Sequence, residues 1–286
     1  MPQEFRQHQV QCISPSGLHR MAYTEWGDPA NRRLLLCVHG LSRCGRDFDS
    51  LARSLCEHYR VVCPDVPGRG LSGWLKNPME YQVQTYVADM VTLLARLDGD
   101  SVHWVGTSMG GLIGMTLASL PETPVRKLVL NDFGPIVAAA SLVRIGEYLG
   151  KAPAFPNFPA ATQYVRAVSA TFGKHNDDEW SFLTEHVTRR QPDGSYRMHY
   201  DPAISVPFMA AKTDKDIELW NCYDAIKCPT LVLRGALSDL LRRETLQEMA
   251  SRGPRAKTVE IPEVGHAPTL MHADQIAIVR DFLLSD

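Results

Sequence analysis

Between Val102 and Leu120 the chain reads VHWVGTSMGGLIGMTLASL: an apolar run, a serine flanked by glycines, then a mostly apolar helical run stopped by Pro121. That order predicts a strand, a sharp turn and a helix, and it constrains the fold more than any other segment. A serine on such a turn sits in a strained backbone conformation with its hydroxyl exposed. Side chains at the flanking positions would collide, which is why Gly106 and Gly110 stand there.

The rest of the chain supplies a setting for this turn. Leu34 to Val38 (LLLCV), Val61 to Cys63 (VVC), Leu128 to Leu130 (LVL), Leu231 to Leu233 (LVL) and Thr258 to Ile261 (TVEI) are mostly continuous apolar runs. Strands covered on both faces by crossover helices have this character. Phe48, Leu51, Ala52 and Leu55 recur at helical spacing, as do Val83, Val87, Met90, Val91, Leu94 and Leu97, and Ala273 to Leu284 reads as a last amphipathic helix. HQVQCI and LHRMAYTEW predict an antiparallel pair joined at Ser14 to Gly17. Alternation of this kind predicts an α/β fold with a mostly parallel central sheet and helices on both faces. It breaks between Phe133 and Ala225, where helical patches, prolines and aromatics replace clear strands. The expected organisation is a core of residues 1–132 and 226–286 carrying a helical insertion at 133–225.

Composition narrows the function. The 286 residues include 44% hydrophobic and 22% charged, an ordinary globular balance. Thirty basic residues against thirty-two acidic ones give a net charge of -2, so no positive field draws nucleic acid or anionic lipid, and neither is expected as a partner. The amino terminus, MPQEFRQHQVQC, lacks the basic start and apolar run of a signal peptide, and no apolar stretch is long enough to span a bilayer. The seven cysteines contain no CxxC, and Cys37 and Cys63 read as buried free thiols. A soluble protein of the reducing cytoplasm is expected. The ten histidines show no HExxH, no paired His spacing and no Cys-His cluster, so no metal is expected, and His103 within VHWV reads as a core histidine.

A serine hydroxyl is a weak nucleophile at neutral pH and needs a base held in the right tautomer by a carboxylate. His266 lies in PEVGHAPTL after the last strand, and Asp239 lies in LVLRGALSDLL after the strand before it. The order Ser108, Asp239, His266 is that of hydrolases with this turn, and Asp239 is the favoured acid. Asp132, in LVLNDFGP, is also placed to reach a histidine at the carboxyl edge of the sheet and stands as the alternative. The oxyanion needs donors: the Met109 N–H directly after the nucleophile and the Leu41 N–H in the His39-Gly40-Leu41-Ser42 turn are expected to supply them. His39 reads as a buried, hydrogen-bonded residue shaping that turn.

Together the His39-Gly40 turn, DVPGRGLSGW from Asp65 to Trp74, the GTSMGG turn, the Asp239 loop and the GHAP turn at His266 resemble the α/β-hydrolase superfamily, in order along nearly the whole chain outside the insertion. The resemblance implies the α/β-hydrolase fold, a helical lid at 133–225 and no cofactor. With serine at the turn it implies hydrolysis of a carboxylic ester of a small apolar substrate through an acyl-enzyme, and disfavours relatives that use an Asp nucleophile. Carbon-carbon bond hydrolysis of ring-fission products and a non-catalytic ligand-binding role stand as alternatives. Gly68 to Gly73 also spells GxGxxG, with Asp89 at a plausible distance for a ribose contact. Trp74 to Pro78 follow where a phosphate-binding helix would run, which speaks against a nucleotide.

Overall fold

The computed structural model describes residues 5–210 and 215–285. The amino-terminal reading falls in part on residues 1–4, outside the described residues. Eight strands form the central sheet: β1 (Arg6–Ser14), β2 (Gly17–Trp26), β3 (Arg33–Val38), β4 (Arg60–Pro64), β5 (Ser101–Thr107), β6 (Val125–Asn131), β7 (Thr230–Gly235) and β8 (Lys257–Ile261). Their spatial order is β1-β2-β4-β3-β5-β6-β7-β8. β1 and β2 pair antiparallel with Ser14 opposite Gly17, β2 pairs antiparallel with β4, and the remaining neighbours are parallel.

The continuous apolar runs are explained by burial on both faces. Along β3, Leu34, Leu36 and Val38 join one core cluster while Leu35 and Cys37 join the other. The first cluster continues through Trp104, Leu128 and Leu130 to helices α2 (Val83–Leu97) and α3 (Met109–Ser119). The second continues through Val105, Val129 and Leu233 to α1 (Asp49–Leu55) and to the last helix, Ala273–Leu284. His103 sits among them as a core histidine. Tyr59 gives its one hydroxyl proton to the Leu283 carbonyl at 2.8 Å, so it accepts from His103 Nδ1 at 2.9 Å, and burial lowers the imidazole to about 4.

Between β6 and β7 the chain forms α4 (Ala139–Tyr148), α5 (Phe158–Val168), α6 (Asp177–Val187), α7 (Ser205–Ala210) and α8 (Trp220–Ala225). The expectation that this stretch carries no clear strand is corrected. Residues 154–155, 188–190 and 196–198 form a small antiparallel sheet, and 136–137 pairs with 217–218. Strands of two or three residues are too short to show alternation in a sequence. After β7 come α9 (Arg243–Met249) and α10 (Ala273–Leu284).

Candidate active site

The turn between β5 and α3 is a close approach of three backbones. A Cβ on Gly106 would lie 2.2 Å from the Gly110 carbonyl oxygen, and one on Gly110 would lie 1.9 Å from that of Val38. Both glycines are therefore obligatory, as expected. Ser108 itself has φ 52 and ψ -114, a left-handed strained geometry held by its N–H donating to the Asn131 carbonyl at 3.0 Å. Its hydroxyl stands at the start of α3, where the next backbone amide belongs to Met109.

His266 follows β8, and its Nε2 lies 2.8 Å from Ser108 Oγ. Its Nδ1 lies 2.6 Å from Oδ2 of Asp132, which follows β6. The favoured acid, Asp239, is not at this site, which corrects the sequence reading. Its carboxylate forms a two-point pair with Arg144 of α4, at 2.7 and 3.0 Å. Asp132 is fully buried and its remaining lone pairs are used: Oδ1 accepts from the Gly235 N–H at 2.9 Å and Oδ2 from the Ser238 hydroxyl at 2.6 Å. Those donors fix the carboxylate in place against His266. The β7 loop thus does contribute, through the residue preceding Asp239.

The HG turn lies against the nucleophile, since a Cβ on Gly40 would be 3.7 Å from Ser108 Cβ. His39 fixes its orientation. The Val66 N–H donates to His39 Nε2 at 2.9 Å, so the ring proton sits on Nδ1 and is donated to the Gly40 carbonyl at 2.7 Å. That carbonyl belongs to the same peptide plane as the Leu41 N–H, so the histidine aims this amide. Burial lowers His39 to about 4, which keeps it neutral and preserves this tautomer.

Several contributors were not legible. Arg69, completely buried, donates to the carbonyls of Leu41 at 2.8 Å and Pro67 at 2.7 Å and to the Tyr86 hydroxyl at 2.9 Å, and its Nη2 lies 3.6 Å from Met109 Sδ. One side chain therefore braces both segments expected to bind the oxyanion. It belongs to the GxGxxG run, whose glycines clear protein side chains: a Cβ on Gly70 would meet Asp65 at 2.3 Å, and one on Gly68 would meet Tyr81 at 2.7 Å. Asn131 Nδ2 donates both to Thr107 Oγ1 at 2.9 Å and to the Pro268 carbonyl at 2.8 Å, joining the nucleophile turn to the histidine loop. From the insertion, Thr171 donates to the His266 carbonyl at 2.6 Å and accepts from the Gly265 N–H at 2.7 Å. None of these residues has a spacing that announces it, because each acts across strands far apart in sequence.

A small cavity of about 30 Å³ lies beside the site, lined in part by His39, Arg43, Thr107, Phe172 and Pro268, so Phe172 is the insertion aromatic that reaches it. A groove of about 1190 Å³ runs between β1–β2 and residues 185–199, and its lining includes neither Ser108, Asp132 nor His266. The small cavity, not this groove, adjoins the hydrogen-bonded serine.

Residues 35–279 match the alpha/beta hydrolase family. The chain is 53% identical over 280 residues to the 3-hydroxybutyrate-oligomer hydrolase of Cupriavidus necator, covering 96% of each chain. It is 25% identical to the pimeloyl-[acyl-carrier protein] methyl ester esterase of Xanthomonas campestris, covering 85% of this chain and 91% of that one. Among solved structures, an alpha/beta hydrolase from Novosphingobium aromaticivorans superposes with a TM-score of 0.88 at 33% identity over 98% of both chains.

Proposed function

We propose, since this chain belongs to the alpha/beta hydrolase family, that it cleaves short linear esters of 3-hydroxybutyrate with Ser108 as nucleophile, His266 as base and Asp132 as the orienting acid. It is an ester-hydrolysing enzyme. The observation that carries the catalytic assignment is the unbroken hydrogen-bonded chain from Ser108 Oγ through the two nitrogens of His266 to Asp132. Identity of 53% to the oligomer hydrolase supports the substrate class.

In this reading Ser108 Oγ attacks the ester carbonyl while His266 Nε2 takes its proton. The Leu41 and Met109 N–H groups receive the oxyanion, the first aimed by His39 and both braced by Arg69. Collapse breaks the bond to the secondary alcohol of the next 3-hydroxybutyrate unit, which leaves with the proton from His266. Water, deprotonated by His266, then releases the acyl group as a carboxylic acid and restores Ser108. Asp132 carries no proton at any step; it fixes the imidazole and balances the imidazolium. No cofactor is needed. Residues 133–225 act as a lid, with Thr171 and Phe172 meeting the site from that side. Among the described residues no helix is long and apolar enough to cross a membrane. The cysteines form no disulfide there, which fits the cytoplasmic setting we propose.

The test is release of 3-hydroxybutyrate from its dimer and trimer by wild type and Ser108→Ala. Wild type is expected to release monomer, and the variant to fall by at least about a thousandfold. If wild type cleaves p-nitrophenyl butyrate but leaves dimer and trimer intact, the substrate assignment is wrong. Undiminished turnover by Ser108→Ala would remove the nucleophile.

A further inference from the structure

We propose that Cys12, His19 and Asp89 form a structural zinc site that ties the amino-terminal hairpin to α2. Cys12 on β1 and His19 on β2 are direct cross-strand partners, and Asp89 on α2 meets them. Their ligand atoms all lie within 4.8 Å of one another, with His19 Nε2 at 3.0 Å from Asp89 Oδ2. All three are buried, at 2%, 6% and 1% exposure.

The cluster's own contacts, the His19 Nε2–Asp89 Oδ2 bond and the Cys12 thiol facing Asp89, leave part of the carboxylate unmatched. Asp89 Oδ1 has no partner, although a buried carboxylate oxygen left unpaired is costly. His19 Nδ1 is also unpartnered. Thiolate, imidazole and carboxylate are zinc's ordinary ligands, at about 2.3, 2.0 and 2.0–2.2 Å, and at those lengths they stand roughly 3–3.7 Å apart. The observed spacing closes onto an ion with side-chain movements of about an ångström. Asp89 binding through both oxygens would bring the set to four donors, in a geometry drawn away from tetrahedral by the narrow bite of the carboxylate. Charge also balances, because one thiolate and one carboxylate neutralise a divalent cation.

Loading exchanges a proton for the ion: the Cys12 S–H bond breaks, an S–Zn bond forms and the proton goes to solvent. A site this enclosed fills as the chain folds. The sequence shows no such cluster because Cys12 and His19 meet only through hairpin register, and Asp89 arrives from a distant helix.

The full-length protein, purified from zinc-supplemented and zinc-depleted cultures without a histidine tag, is assayed for bound zinc and for Tm. About one zinc per chain is expected from supplemented cells, with a Tm about 5 °C or more above the depleted preparation. Cobalt supplementation should give a thiolate-to-cobalt charge-transfer band in the near ultraviolet that Cys12→Ser lacks. Far less than one zinc per chain, with identical Tm in both preparations, overturns the site. A full equivalent that persists in both Cys12→Ser and Asp89→Asn also overturns it, since the ion then sits elsewhere. Labelling of Ser108 by a fluorophosphonate at the wild-type rate shows that these variants are folded.

Discussion

Asp132 and Asp239 follow the carboxyl ends of β6 and β7, which are neighbours in the sheet, yet the protein treats them as opposites. Asp132 is sealed from solvent and accepts from the Gly235 N–H, the Ser238 hydroxyl and His266 Nδ1. The side chain of Asp239 is 48% exposed and engages Arg144 at the surface. Fixed donors in a dry setting hold a carboxylate in one orientation beside an imidazole, which a solvent-exposed pair does not. Position at a strand end therefore does not by itself select which aspartate meets His266.

The sharpest way to break this comparison is to neutralise each carboxylate in turn. Asp132→Asn should lower kcat about 10³- to 10⁴-fold with little change in KM, because the neutral amide no longer favours the reactive tautomer of His266. A loss of less than tenfold would show that Asp132 only packs against the histidine. Next in size is Ser238→Ala, which removes one donor from Asp132 Oδ2 while leaving the carboxylate in place. We expect kcat to fall about fivefold, on the order of 1 kcal/mol, and an unchanged rate would mean that the Gly235 amide alone suffices. Asp239→Asn is the smallest: its pair with Arg144 is largely solvent-screened, so Tm should move within about 2 °C and turnover within about twofold. A large loss of turnover in that variant would restore Asp239 to the mechanism.

The turn carrying Ser108 and the loop carrying His266, the nucleophile and base we propose, could be read because their information is local. Gly106, Ser108 and Gly110 form one turn whose sterics forbid alternatives, and His266 sits in a short loop between β8 and α10. Which aspartate meets His266 could not be read, because two of them follow neighbouring strands and only packing decides which one turns inward. Arg69, Asn131 and Thr171 were illegible for a related reason: each acts by joining segments distant along the chain. The small sheets within 133–225 escaped notice because their strands are two or three residues long.

Taken by itself, the sequence determined the alternating α/β architecture, since runs buried on both faces and one-faced helices are written in hydrophobic period. It also determined the serine turn, since glycine is the only residue without a side chain to collide there. Only the tertiary structure decided that Asp132 rather than Asp239 meets His266, that Arg69 braces the two amides beside Ser108, and that Cys12, His19 and Asp89 converge beneath the hairpin. Hydrogen bonds and desolvation act between atoms brought together from different strands, and that proximity does not exist until the sheet has formed.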